Sequence, residues 1–180
     1  MTGATIAGYV TFEEFEQMPE QPGKQELLKG ELIELPPAKL KHNEISERLY
    51  RRVFAILAEA HGRAECAALG KAHHEMGYRM GNHSWLQPDV SITHSAQQAD
   101  DYYLGSPALV VEVISGEKTA DHIDGKIEEY WKNGVLEIWV VYPVRKHVWI
   151  YRPGTAELRS GAFPSELLAG GEIDLNEILK

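Results

Sequence analysis

Three ionisable residues between positions 88 and 126 are of types and at a spacing that could do chemistry together. Asp89 follows Pro88 at the head of an apolar segment. Glu112 interrupts Ala108-Leu-Val-Val-Glu-Val-Ile114, which otherwise has the near-continuous apolar character of a strand covered on both faces. An ionised carboxylate in such a strand is costly unless a partner compensates it. Lys126 follows 14 residues after Glu112, in a predicted helix, and a crossover of that length can fold the helix back over the strand. Two carboxylates on neighbouring strands are the oxygen ligands that Mg²⁺ prefers. An ammonium beside them can pair with the carboxylates and stabilise developing negative charge. Taken singly, each residue has an ordinary reading: Asp after Pro as a turn residue, Glu112 in a structural ion pair, Lys126 on a solvated helix face. The ordered set of Pro-Asp, Glu in a buried strand and Lys in the next helix is much less easily produced by chance.

The elements that must position these residues follow from patterning. Thr11-Phe-Glu-Glu14 is a capping box opening a short helix with Phe12, Phe15 and Met18 on one face. Glu26–Leu35 predicts two short strands about a Lys29-Gly30 turn, stopped by Pro36-Pro37. Asn43 is placed to cap a long helix running to about His61. Its stripe of Ile45, Leu49, Val53, Ile56, Leu57 and Ala60 has the 3.6-residue period of one buried face. Strands are expected at about 64–69, 74–80, 88–94 and 108–114, a helix at about 120–133, and strands at 136–142 and 146–151. A Gly-rich tail from Gly154 closes with an amphipathic Ile173–Leu179 piece. This order predicts an α/β (α+β) fold, a mixed sheet with helices on its faces. One domain spanning 1–180 is expected, with a helix and hairpin over about 10–37, a core over about 42–152 and a tail over 153–180.

The chain has 180 residues, 43% of them apolar, enough to fill one core and inconsistent with global disorder. Its longest apolar run is too short to span a bilayer, and no basic segment followed by an apolar stretch opens the sequence, so neither membrane span nor leader is expected. A single cysteine, Cys66, excludes an intramolecular disulfide framework and fits a reducing cytoplasm. The formal charge of −9 argues against tight nucleic-acid binding through bulk electrostatics. The charge is uneven, however. Residues 96–137, which bracket Glu112, carry −6, whereas 24–63 carry +2 and 138–153 carry +3. Arg48, Arg51, Arg52 and the Arg145-Lys146 turn are therefore the expected backbone-contacting surfaces.

Several segments act together as a signature: "ELLKGELIELPPAKLKH", "LQPDVSI", "GSPALVVEVIS", "KIEEYWKNGVLEIWVVYP", "VWIYR" and "LLAGGEIDLNEIL". Over about residues 10–180 the chain resembles the Uma-type putative restriction endonucleases, a family within the PD-(D/E)XK nuclease superfamily. The resemblance implies a restriction endonuclease-like fold with an N-terminal β-hairpin, and Mg²⁺-dependent hydrolysis of DNA phosphodiester bonds, with Mn²⁺ able to substitute. It assigns Asp89 and Glu112 as metal-binding and catalytic carboxylates and Lys126 as the catalytic lysine. Glu31 matches an acidic position available as an additional ligand, and the Val113 carbonyl is a further one. His42 matches a family histidine that could contact substrate, orient a water or merely precede the helix. The superfamily's lysine two places after the Glu is replaced by Ile114, a departure shared with the family. Gly116 and His122 stand where the family often has Pro and Asp. DNA as partner, a homodimer, and a cytoplasmic location without membrane association complete the expectation. The competing reading is a non-catalytic module that keeps the fold for binding nucleic acid or protein. Two further features are set aside. His73 and His74, adjacent on a strand, point to opposite faces and rarely share a metal. Trp131, Trp139 and Trp149 are spaced as core or interface aromatics.

Overall fold

A computed structural model describes residues 9–19, 21–114 and 122–180 in full and the backbone of 120–121. Helix α1 (Phe12–Glu16) is closed by the expected Thr11/Glu14 capping box. Strands β1 (Lys24–Leu28) and β2 (Glu31–Leu35) pair antiparallel around Lys29 and Gly30. Both turn residues are left-handed, φ 51° and 82°, as a two-residue hairpin turn matched to strand twist requires. Helix α2 spans Leu40–Glu59, starting three residues before Asn43; Lys39 occupies the N-cap and gives no side-chain cap. Nothing in Leu40-Lys-His42 breaks a helix, so the first turn forms ahead of the better capping residue. His42 consequently sits inside the helix rather than before it.

Residues 64–66 form a 3₁₀ turn, not the expected strand, and the strand begins later as β3 (Leu69–His74). Next come β4 (Tyr78–Arg79), β5 (Trp85–Leu86), β6 (Val90–His94), β7 (Tyr103–Leu104) and β8 (Leu109–Val113). Helix α3 (Ala120–Lys132) leads to β9 (Glu137–Tyr142) and β10 (His147–Arg152). The supposed tail contains β11 (Thr155–Ser160), β12 (Ala162–Ser165), β13 (Gly171–Asp174) and α4 (Leu175–Ile178). Its strands escape sequence patterning because β11 is mostly exposed, lacking apolar alternation, and β12 carries Pro164.

The described strands form a six-stranded sheet ordered β11-β10-β9-β8-β6-β3 and a five-stranded sheet ordered β2-β1-β5-β4-β7. A separate ladder joins β12 to β13. Strands β8 and β9 run parallel through the α3 crossover, whereas β6 and β8 are antiparallel, so the larger sheet is mixed. Strand parity then sorts the core. Leu109, Val111 and Val113 of β8 join Ile45, Leu49, Val53 and Ile56 of α2, with Phe163, Ile173 and Ile178 of the C-terminal segment. On the opposite face Val110, Ile138 and Val140 pack against Ile123 and Tyr130 of α3. Both faces of β8 are covered, and Glu112, two places from Val110, is turned to the α3 side. Arg48 donates to the Ile178 and Lys180 carbonyls and Arg52 to that of Glu172. These guanidinium groups, expected from the sequence to face DNA, dock the C-terminal segment on α2.

Candidate active site

Asp89, Glu112 and Lys126 are all buried at the end of β6 and β8 under α3. Lys126 is 1% exposed, against the expectation for a helix lysine, and its Nζ lies 2.5 Å from Glu112 Oε1. Lys126 falls one turn from each of Ile123 and Tyr130 on the apolar stripe of α3, so the helix packing that covers β8 also delivers the ammonium. Tyr130 donates its hydroxyl to the same Glu112 oxygen at 2.9 Å. Burial, with Glu112 and Glu26 beside it, holds the Tyr130 phenol well above its ordinary pKa.

Asp89 is fixed at both oxygens. The Val113 backbone N–H donates to Oδ2 at 2.6 Å, and His42 Nε2 lies 3.2 Å from Oδ1. The first contact exists because the register of Val90 with Val111, carried one step further, sets Asp89 opposite Glu112 and so beside the N–H of its neighbour Val113. The second exists because the early start of α2 puts His42 in its first turn. His42 Nδ1 is buried without a hydrogen-bond partner among the described residues.

The residue that sequence reasoning missed is Glu26. It is fully buried on β1, and Lys126 Nζ reaches both its oxygens, at 2.9 and 3.0 Å. The Gln87 N–H donates to Glu26 Oε1 at 3.0 Å, tying the hairpin to the segment that leads into Asp89. His122 Nε2 stands 3.9 Å from Glu26 Oε2. Lys24, two residues earlier and so on the same face of β1, holds Nζ 3.5 Å from Glu26 Oε1 and 3.8 Å from Asp89 Oδ1. An alternating row results: Asp89, Lys24, Glu26, Lys126, Glu112. Glu31, the acidic residue matched from sequence, lies exposed beside the turn, opposite Leu28, while Glu26 pairs with Ile33 deeper in the hairpin. A usable signal was present in strand parity: Glu26 shares a face with Leu28, which packs with the α3-side cluster. Gly125 permits that approach, since a Cβ there would meet Leu28 Cδ2 at 3.2 Å. Gly116 lies outside the described residues, as does the Asp121 side chain; Asp124 is exposed.

Among the described residues no group of three or more His, Cys, Asp and Glu side chains is arranged as a ready-made metal cluster. Mg²⁺ does not require one, because it is commonly bound through one or two carboxylates and retains several waters. Asp89 and Glu112 supply hard oxygen donors of that kind. Along a strand the N–H and C=O of one residue point to the same side, so the Val113 carbonyl faces the Asp89 side as its N–H does. The donor set therefore fits a hard divalent cation. His73 and His74 diverge, His73 against Tyr103 and His74 against Ser46 and Tyr50 on α2. Cys66 is a buried free thiol. No helix among the described residues is long and apolar enough to cross a membrane.

The architecture is similar to that of a solved protein described as a putative nuclease belonging to DUF820 from Anabaena variabilis. The TM-score is 0.78 at 19% identity, covering 94% of this chain and 97% of that one. No curated protein matches the chain. The Uma2 family model, described as "Putative restriction endonuclease", matches residues 12–178. With nearly its whole length matched, and with the fold to go with it, the chain belongs to the Uma2 family.

Proposed function

We propose that this protein is a divalent-metal-dependent endonuclease that hydrolyses DNA phosphodiester bonds at a PD-(D/E)XK-type site. The observation that carries the reading is the direct pairing of Lys126 with Glu112 beside an Asp89 fixed by the next residue of the same strand. Asp89, Glu112 and the Val113 carbonyl would hold Mg²⁺, with Mn²⁺ as a substitute. When bound, the cation supplies neutralisation of phosphate charge and acidification of a bound water. The chain's own residues do the positioning. Val113 N–H and His42 set the direction of the two Asp89 oxygens. Lys126 and Tyr130 both meet Glu112 Oε1 and hold its carboxyl in one place inside an apolar sheet. Glu26 holds the Lys126 ammonium from its other side, so the lysine is oriented before substrate arrives. Glu112 pairs with this local lysine rather than with a remote structural arginine, which favours a catalytic over a purely binding role.

The direct experiment incubates the protein with plasmid, linear and single-stranded DNA in Mg²⁺, in Mn²⁺ and in chelator. Metal-dependent nicking or linearisation that disappears in Asp89→Asn is expected. Intact DNA in every metal with the wild-type protein would remove the proposal.

A further inference from the structure

Of the two lysines in the row, one is sealed and the other is not. The Lys126 side chain is 1% exposed and lies between two buried carboxylates, so an incoming phosphodiester cannot reach it without displacing Glu26 or Glu112. The Lys24 side chain is 22% exposed while its Nζ stays within 3.8 Å of Asp89. Among the described residues of the row it is the cation at the boundary between the carboxylates and solvent. Its ammonium is tethered to a neutral acceptor, the Gln87 carbonyl, two residues before Asp89. Its separations from Glu26 and Asp89, 3.5 and 3.8 Å, are ion-pair distances longer than charge-assisted hydrogen bonds. Lys24 and Glu26 are both carried by β1, so a single strand from the smaller sheet supplies the inner carboxylate and the outer cation.

Resting on the nuclease reading above, we infer that Lys24 is the residue that contacts the backbone phosphate of the DNA strand, while Lys126 is a positioning residue acting through Glu26 and Glu112. An ammonium in the mouth beside Asp89 meets the phosphate anion first and keeps it next to the carboxylates. The contact is to a charged group and not to a base, so it serves any sequence.

The test compares wild type with Lys24→Gln and Lys24→Arg. Binding of a labelled DNA duplex is measured in Ca²⁺ over a range of salt, and single-turnover cleavage in Mg²⁺ or Mn²⁺. Lys24→Gln is expected to slow cleavage about 10²-fold, the effect of removing one preorganised donor to a developing anion. It should also flatten the dependence of log K on log salt by about 0.9, the contribution of one phosphate contact. Lys24→Arg should retain the slope and recover part of the rate. Slower cleavage with an unchanged salt slope would make Lys24 only a support for Glu26 and Asp89, and overturns the inference. So does unaltered cleavage in Lys24→Gln. Should Lys24→Gln fail to fold, wild-type protein decides: acetic anhydride should modify Lys24 less when duplex DNA is bound, and equal modification counts against the contact. Wild-type protein that binds DNA with Lys24 protected but never cleaves sinks the nuclease reading and not this one. Wild type that neither binds nor cleaves sinks both.

Discussion

Tyr130 donates its hydroxyl to Glu112 Oε1 at 2.9 Å, and Lys126 meets the same oxygen at 2.5 Å. Glu112 is thus held by a neutral donor and a cation reaching across from one helix. Tyr130→Phe removes the neutral donor and leaves the ring packing intact. A hydrogen bond to a charged group contributes about 1.5–3 kcal/mol, so the variant should lose stability of that order in urea unfolding and cleave more slowly as Glu112 gains freedom. Wild-type stability together with a wild-type rate would show that Lys126 alone fixes Glu112.

The same phenol gives a pH prediction. Burial and the neighbouring carboxylates raise the folded-state pKa of Tyr130 above that of an exposed tyrosine near 10. A group whose folded pKa is raised contributes stability that is fully present below the unfolded pKa and is lost as pH climbs toward the folded one. Above about pH 10 the unfolded chain releases the Tyr130 proton and the folded chain does not. The loss approaches about 1.4 kcal/mol per pH unit for each such group. Burial acts on Tyr78 in the same direction. Denaturant midpoints from pH 8 to about 11 should therefore fall less steeply in Tyr130→Phe than in wild type. Parallel curves would place the Tyr130 hydroxyl in contact with water.

Lys126→Ala is a stability variant as well as an activity variant. From sequence alone the substitution looks harmless to the fold, because a helix lysine is ordinarily solvated. Here it leaves Glu26 and Glu112, 0% and 2% exposed, without their shared ammonium. Removing one partner of a buried ion pair costs about 3–5 kcal/mol. The triple variant Glu26→Gln, Glu112→Gln, Lys126→Met should recover most of that loss in thermal or urea unfolding, since no buried charge of the triad remains, yet stay inactive. A Lys126→Ala protein of wild-type stability would contradict the sealed triad.

How much of this was legible follows from sequence separation. Glu112 and Lys126 belong to one strand–helix unit, so local patterning already placed the carboxylate in a buried strand and the lysine on the helix behind it. The helix stripe of Ile45, Leu49, Val53 and Ile56 was likewise readable, because burial of one face repeats along the chain. Glu26 was not, because its tie to Lys126 spans 100 residues and joins the smaller sheet to α3. The hairpin itself was predicted, but its depth against α3 depends on the bare backbone of Gly125 and on Gln87. The competing acidic position, Glu31, shares the hairpin face of Glu26 and differs in lying beside the turn, where it stays exposed. The C-terminal strands were missed because β11, paired with β10, is mostly exposed and lacks apolar alternation, and because Pro164 interrupts β12.

Asp89→Asn separates a metal ligand from a structural carboxylate. Asp89 receives a backbone N–H on one oxygen and faces His42 Nε2 with the other. Asparagine can keep the first contact through its carbonyl and the second by donating its amide to the histidine once the ring adopts the other tautomer. Shape and most hydrogen bonding survive, and only the charge is removed. The variant should unfold at close to the wild-type temperature while its Mg²⁺ affinity by calorimetry drops sharply. His42→Ala removes a group that orients the carboxylate and should weaken the same binding about 10–100-fold, the range for partners of a ligating side chain. If Asp89→Asn binds Mg²⁺ as wild type does, Asp89 is no ligand, and its contacts to Val113 and His42 serve only to join α2 to the sheet.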